Sequence, residues 1–216
     1  MSCVRLSISA VKIHPSYGQA NQLDHDVCLL RLDRRISFPA HPGVRPVCLP
    51  SQAGADYAEL VAVVAGWGRT GGTAGISPHL QETRVLVWPQ SACRQAFGGT
   101  ITSAMMCVSK QSSPIDSTCN GDSGGSVVYK SGGASSNFET IGVVSWGVEG
   151  CQANAPSVMA RVTTVLSWIQ QQISDSATCP RNFTPAGTSG PACLTAGGAV
   201  SGKPSCAAAA ALQLPL

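Results

Sequence analysis

One serine stands between glycines in the run Cys119-Asn120-Gly121-Asp122-Ser123-Gly124-Gly125-Ser126. Flanking glycines let the backbone turn tightly and leave the Oγ accessible, while successive N–H groups can converge on one developing oxyanion. Those are the requirements of nucleophilic acyl transfer, with Ser123 as the attacking group. By itself the motif also fits an ordinary turn in a chain that carries 23 glycines. The same five residues match the nucleophile elbow of α/β-hydrolases, a fold that places its His after the Ser. Here His14, His25, His41 and His79 all precede Ser123, and the strand–helix alternation of a parallel sheet is missing. The elbow reading fails on both counts.

Composition removes other chemistries. Only 12% of the 216 residues are charged, and 14 basic against 11 acidic side chains leave a net +3. That is too little and too dispersed for a phosphate-backbone footprint, so no nucleic-acid partner is expected. The longest strongly apolar run of the body, residues 60–65, is far short of the 18 or more residues of a membrane span. Ten cysteines include no Cys-x-x-Cys pair, and no His sits at zinc-ligand spacing. Disulfides are therefore the better reading, and neither a metal nor an organic cofactor is expected. An oxidising, extracellular destination follows, although residues 1–17 show no basic flank followed by an apolar stretch of a signal peptide.

The elements that must hold Ser123 read as all-β. Short Val/Ile-rich runs alternate with Gly, Pro and Ser clusters, giving candidate strands at 27–32, 60–65, 81–87, 105–108, 126–129, 139–145 and 158–162. One amphipathic helix is expected at 163–173, where Val162, Val165, Leu166, Ile169 and Ile173 keep an i, i+3, i+4, i+7 spacing. From residue 175 the composition shifts to Ala, Gly, Pro and Ser without a single acid after Asp175. Such a segment buries too little apolar surface to offset its ordering entropy and reads as a linker or tail spanning 175–216.

Ordered along the chain, these motifs carry a family resemblance. Gly121-Asp122-Ser123-Gly124-Gly125 resembles the nucleophile loop of the trypsin/chymotrypsin-like serine endopeptidases, and Asp24-His25-Asp26-Val27-Cys28-Leu29-Leu30 resembles the family's acid-bearing strand. Gly66-Trp67-Gly68, Leu80-Gln81-Glu82, Ile101-Thr102-Ser103-Ala104-Met105-Met106-Cys107, Ser145-Trp146-Gly147 and Pro156-Ser157-Val158 follow in family order, over residues 4–174. The resemblance implies a double six-stranded β-barrel with a C-terminal helix, the first barrel incomplete, in a protease domain over 1–174. It implies that Ser123 attacks the scissile carbonyl and that the N–H groups of Gly121 and Ser123 form the oxyanion hole. Asp26 would orient the general-base imidazole with support from the Ser145 hydroxyl, and Ser145, Trp146 and Gly147 would line the substrate as an edge strand. Cys93–Cys107 and Cys119–Cys151 match two family disulfides. Cys48 matches a position that in the family bonds to a pro-region or another distant Cys, Ala62 and Tyr129 replace both members of a third bridge, and Cys28 is expected to be a buried free thiol rather than a bridge member.

Two family features are not found. Only 25 residues precede Asp26, and none resembles the Thr-Ala-Ala-His-Cys segment that carries the general base. The Ile/Val-Val-Gly-Gly activation terminus, whose amine pairs with the acid at Asp122, is not found either. Asp122 is thus expected to need another donor, because an unpaired buried charge costs about 3–5 kcal/mol. The expectation is an N-terminally truncated serine endopeptidase acting on protein or peptide substrates and open to proteinaceous inhibitors; the alternative is an inactive homologue that binds without cutting. For the primary pocket, Ser117 takes the floor position where trypsins carry Asp, Gly147 leaves one wall open and Ser157 replaces a common Gly. A preference for apolar or small side chains follows, unless a register shift brings Asp116 to the floor.

Overall fold

The computed structural model describes residues 3–41, 43–51, 53–71, 74–110, 118–130, 137–151, 156–173, 193–196 and 209–210. Strands β1 (Cys3–Leu6), β2 (Ile8–Ile13) and β3 (Cys28–Leu32) open the chain. A closed antiparallel barrel follows, built from β4 (Val61–Gly66), β5 (Gln81–Val87), β6 (Met105–Lys110), β7 (Ser126–Lys130), β8 (Phe138–Trp146) and β9 (Ser157–Arg161), in the order β4-β5-β6-β9-β8-β7. Helix α1 (Gln90–Phe97) bridges β5 and β6, and α2 (Val162–Gln172) leaves directly from β9. The all-β expectation with a C-terminal helix is met, and the six-stranded barrel is one half of the expected double-barrel architecture.

Alternation explains why the barrel closes. Ala62, Val64, Val85, Val87, Met106, Val108, Val127, Ile141 and Met159 point inward from successive strands and form one buried cluster. Gly142 sits where a Cβ would come within 3.2 Å of the Met106 sulfur and 3.3 Å of Met159 Cβ. The interior there leaves no room for a methyl group. Ala62 and Tyr129, which replace a half-cystine pair of the resembling family, both pack into this cluster.

A second cluster matters more for position. Val165 and Ile169 of α2 pack with Val143 and Ala160 of the barrel and with Val27 and Leu29 of the β3 region. One helix face thereby clamps β3 onto the barrel. Strand β2 pairs antiparallel with β3, from Ile13 opposite Cys28 to Ile8 opposite Leu32, with a bulge between Ile8 and Ala10. Two short pieces of the segment read as a tail also join strands of the body. They are β10 (Cys193–Ala196), parallel to β1, and β11 (Ala209–Ala210), parallel to β3.

Disulfides join Cys93 to Cys107 and Cys119 to Cys151. Cys28 corrects its sequence expectation. It is fully buried and disulfide-bonded rather than a free thiol. The expectation rested on its place in the acid-bearing strand, and its partner lies outside the described side chains. Cys48 is disulfide-bonded as well.

Candidate active site

Asp26 lies just before β3 and is 1% exposed. The Ser145 hydroxyl, near the end of β8, donates to Asp26 Oδ2 at 2.6 Å. The carboxylate thus sits at the seam between the β2–β3 sheet and the barrel. Its approach is set by a tight turn in which His25 holds φ at 49° and the Val27 N–H donates to the His25 carbonyl at 2.7 Å. Asp26 precedes the strand, and that turn sets it apart from His25.

The Ser123 loop is stitched down on both sides. Gly124 N–H donates to Val144 O, Val144 N–H to Gly125 O, and Gly125 N–H to Asp122 O, each at 2.9 Å. Gly121 takes φ at 103° and Gly124 at 83°, left-handed values that residues with a Cβ rarely adopt. At Gly121 a Cβ would also approach Gly68 Cα to 3.1 Å and Ile76 Cγ2 to 3.3 Å. Ser123 and Gly121 are exposed. Among the described residues, the amides of Gly121 and Ser123 donate to no protein acceptor, and the Ser123 hydroxyl has no hydrogen bond.

Asp122 points the other way. Its Oδ1 accepts from the Gly68 N–H at 2.8 Å and its Oδ2 from the Cys119 N–H at 2.9 Å. Any Cβ at Gly66 or Gly68 would collide with this carboxylate. These two backbone donors answer the sequence-level question of what an unpaired Asp122 would find. The carboxylate borders a cleft of about 120 Å³ that Gly66, Gly68, Arg69, Glu82 and Thr118 also line.

Around the expected primary pocket, Ser157 is 3% exposed, and a Cβ on Gly147 would meet its Oγ at 3.7 Å. The two positions therefore face one another. Trp146 stacks edge-on against Phe97 with ring centroids 5.1 Å apart, and its buried Nε1 has no described partner. Ser117 and Asp116, which decide the pocket floor, lie outside the described residues.

Two of the four histidines meet in one stack and the other two lie apart. His25 Nδ1 is 2.8 Å from Asp24 Oδ2, and its ring stacks on His14 at 4.7 Å between centroids. His41 lies in a turn after residue 37 with an unpartnered Nδ1, and His79 is exposed. Sequence reasoning missed the role of Asp24. This acid is 3% exposed and accepts from Thr102 Oγ1 at 2.6 Å as well as facing His25. Burial alone would raise its pKa; the hydrogen bonds from Thr102 and His25 outweigh that and hold it below the ordinary carboxylate value. Its proximity to Asp26 in sequence is a signal, but a partner 78 residues away is not.

Comparison with known proteins identifies the family. The Trypsin family model matches residues 3–169. The chain belongs to the trypsin family. It is 37% identical over 170 residues to serine protease 1 of Canis lupus familiaris, covering 77% of this chain and 64% of that protein. To trypsin-3 of Salmo salar it is 36% identical over 172 residues, covering 78% and 67%. To transmembrane protease serine 9 of Rattus norvegicus it is 33% identical over 178 residues, covering 82% of this chain and 16% of that protein. The chain thus spans about two thirds of the length of two of these trypsin-family relatives and a small part of the third. Among the described residues no helix is long and apolar enough to cross a membrane, and no cluster of three or more His, Cys, Asp or Glu could hold a metal ion.

Proposed function

We propose that this chain is part of a serine endopeptidase that cleaves protein substrates through an acyl-enzyme on Ser123. One observation carries the reading: the buried Asp26 carboxylate is held by Ser145 at 2.6 Å, while a glycine-flanked, exposed Ser123 rises from a loop anchored on the same strand, β8. In this reading Asp26 orients an imidazole that takes the Ser123 proton, and the Gly121 and Ser123 amides stabilise the tetrahedral oxyanion. Ser145, Trp146 and Gly147 pair with the extended substrate, and protein inhibitors would occupy the same edge. Ser117 at the pocket floor, with Ser157 facing Gly147, favours apolar or small side chains before the scissile bond. The disulfides fit an extracellular site of action.

A fluorophosphonate probe tests this directly. Because none of the four histidines is described against Ser123, the 216-residue chain alone is expected to label weakly or not at all. A form extended N-terminally by a family-like histidine segment is expected to label at Ser123 and to lose labelling in Ser123→Ala. Failure of that extended form to label, or labelling elsewhere, overturns the assignment. Cleavage only after Arg and Lys would overturn the pocket reading. The same lack of a neighbouring imidazole favours a second reading, an inactive homologue that binds peptides along the 145–147 edge without turnover. Saturable peptide binding with no cleavage by the extended form would select it.

A further inference from the structure

His14 and His25 stack with ring centroids 4.7 Å apart and planes 12° from parallel. Neither belongs to the reading of Ser123 and Asp26 as catalytic groups. Their surroundings join three parts of the molecule. On one side His14 meets the edge of Trp168 on α2 at 4.8 Å. On the other, His25 faces Asp24, which accepts from Thr102 in the turn leading to β6. The backbone closes the loop between them. His14 N–H donates to Val27 O at 3.1 Å, Tyr17 N–H to His14 O at 3.0 Å and Gly18 N–H to Asp24 O at 3.0 Å.

The hydrogen bonds fix how the rings can be charged. Ser16 N–H donates to His14 Nδ1 at 3.1 Å, so that nitrogen carries a lone pair and the ring is neutral with its proton on Nε2. A second proton could enter only at Nδ1, and there it would meet the Ser16 N–H head on. His25 presents Nδ1 to the Asp24 carboxylate, an arrangement that a cationic ring tolerates. Protonating both rings would place two positive charges in one stack and break the Ser16 bond together.

The groups that face the stack are few. Asp24 is the acid in contact with it. Tyr17 follows in the same turn and feels the Asp26 charge, with burial first and that charge second raising its pKa. Lys12 of β2 reaches away to Gln172 Oε1 at 3.0 Å. Helix α2 carries no charged side chain between residues 162 and 172, and neither does the turn 98–104. Asp26, the second carboxylate nearby, accepts from the Ser145 hydroxyl at 2.6 Å, and Asp24 is the acid whose contact with a ring is described. Burial, followed by the charge of His25, lowers the pKa of His14 from its ordinary value, with Asp24 working in the opposite sense.

We propose that the His14–His25 stack is an acid-operated latch, closed at neutral pH and open when both rings are protonated. Closed, it pins residues 14–27 between α2 and the 98–104 turn and so fixes the approach to Asp26. Open, it releases that loop while the barrel stays folded. Because the folded pKa of His14 lies below the unfolded one, the closed state loses stability as pH falls from about 6.5 toward the folded value. The latch operates whether or not the chain cleaves peptide bonds.

Hydrogen exchange of the full 216-residue chain at pH 7.5 and 5.0, corrected for intrinsic rates, tests it. Protection of the Ser16, Tyr17, Gly18 and Val27 amides is expected to fall at least tenfold at pH 5.0, with β4 to β9 unchanged. His25→Asn retains a side chain suited to the left-handed φ of 49° and removes the stack, so its loop protection should vary little with pH. His14→Gln should behave likewise. In case a variant does not fold, the His14 resonance of the parent protein gives a second readout, with a midpoint expected below 6.5. Equal loss of protection throughout the barrel, an unchanged loop, or a pH response retained in a folded His25→Asn protein overturns the latch.

Discussion

Ser145 Oγ donates to Asp26 Oδ2 at 2.6 Å although 119 residues separate them. The bond ties the exit of β8 to the turn before β3 and crosses the seam between sheet and barrel. The carboxylate is almost wholly excluded from water, so each donor it keeps weighs heavily.

Replacing Ser145 by Ala removes a hydrogen bond to a buried charge. The expected loss is about 1.5–3 kcal/mol of unfolding free energy. Urea unfolding of the full chain at pH 7 measures it. A change below a few tenths of a kcal/mol would mean that Asp26 does not depend on this donor.

Gly68→Ala should fail for a steric reason. The new Cβ collides with the Asp122 carboxylate, and the Gly68 N–H is one of that carboxylate's two described donors. Overpacking of this kind costs about 1–3 kcal/mol. The double variant Gly68→Ala/Asp122→Ala should recover part of the loss in thermal unfolding. If the double variant is no better than the single, the clash is not with Asp122.

The two described disulfides should differ modestly. Closing 32 residues between Cys119 and Cys151 is worth roughly 3–4 kcal/mol in chain-entropy terms, and closing 14 between Cys93 and Cys107 about 3 kcal/mol. Paired Cys→Ala variants, compared by urea midpoint, check the order. Loss of the 119–151 bridge should also raise exchange in the Ser123 loop, which Cys119 opens.

Asp24 gives an acid-range prediction. Its folded pKa lies below the ordinary value, so its contribution is complete above about pH 4 and is lost as pH falls through the folded value. Thr102→Val removes one donor that holds the pKa down. The stability difference between pH 7 and pH 3 should therefore narrow in the variant, as measured by urea unfolding. A wider difference would show that Thr102 does not favour the ionised form.

The barrel was largely legible because its Val/Ile-rich runs are set off by Gly, Pro and Ser clusters. β5 appears over residues 81–87 as the sequence predicts, and α2 starts and stops one residue earlier than expected. Strand β2 was not legible: in Ile8–Ile13 no residue is fully buried, so no apolar face marks it. Helix α1 was missed for its length, eight residues with Cys93 alone buried. The Ser123 loop announces itself through glycines that only its backbone angles require. Asp24, Thr102 and the histidine stack do not, since their meaning comes from contacts made across the fold. Cys28 illustrates the same limit, because its bonded partner cannot be inferred from spacing.

The clamp formed by α2 has a consequence for how the site comes into being. During synthesis Asp26 leaves the ribosome first, and Ser145 and the helix face of Val165 and Ile169 emerge more than a hundred residues later. At translation rates of roughly 5–20 residues per second, the carboxylate waits on the order of ten seconds for its donor. Nascent chains therefore hold the parts of the site apart until almost the whole barrel has been made. The order in which the residues are read thus sets when Asp26 and Ser145 can meet.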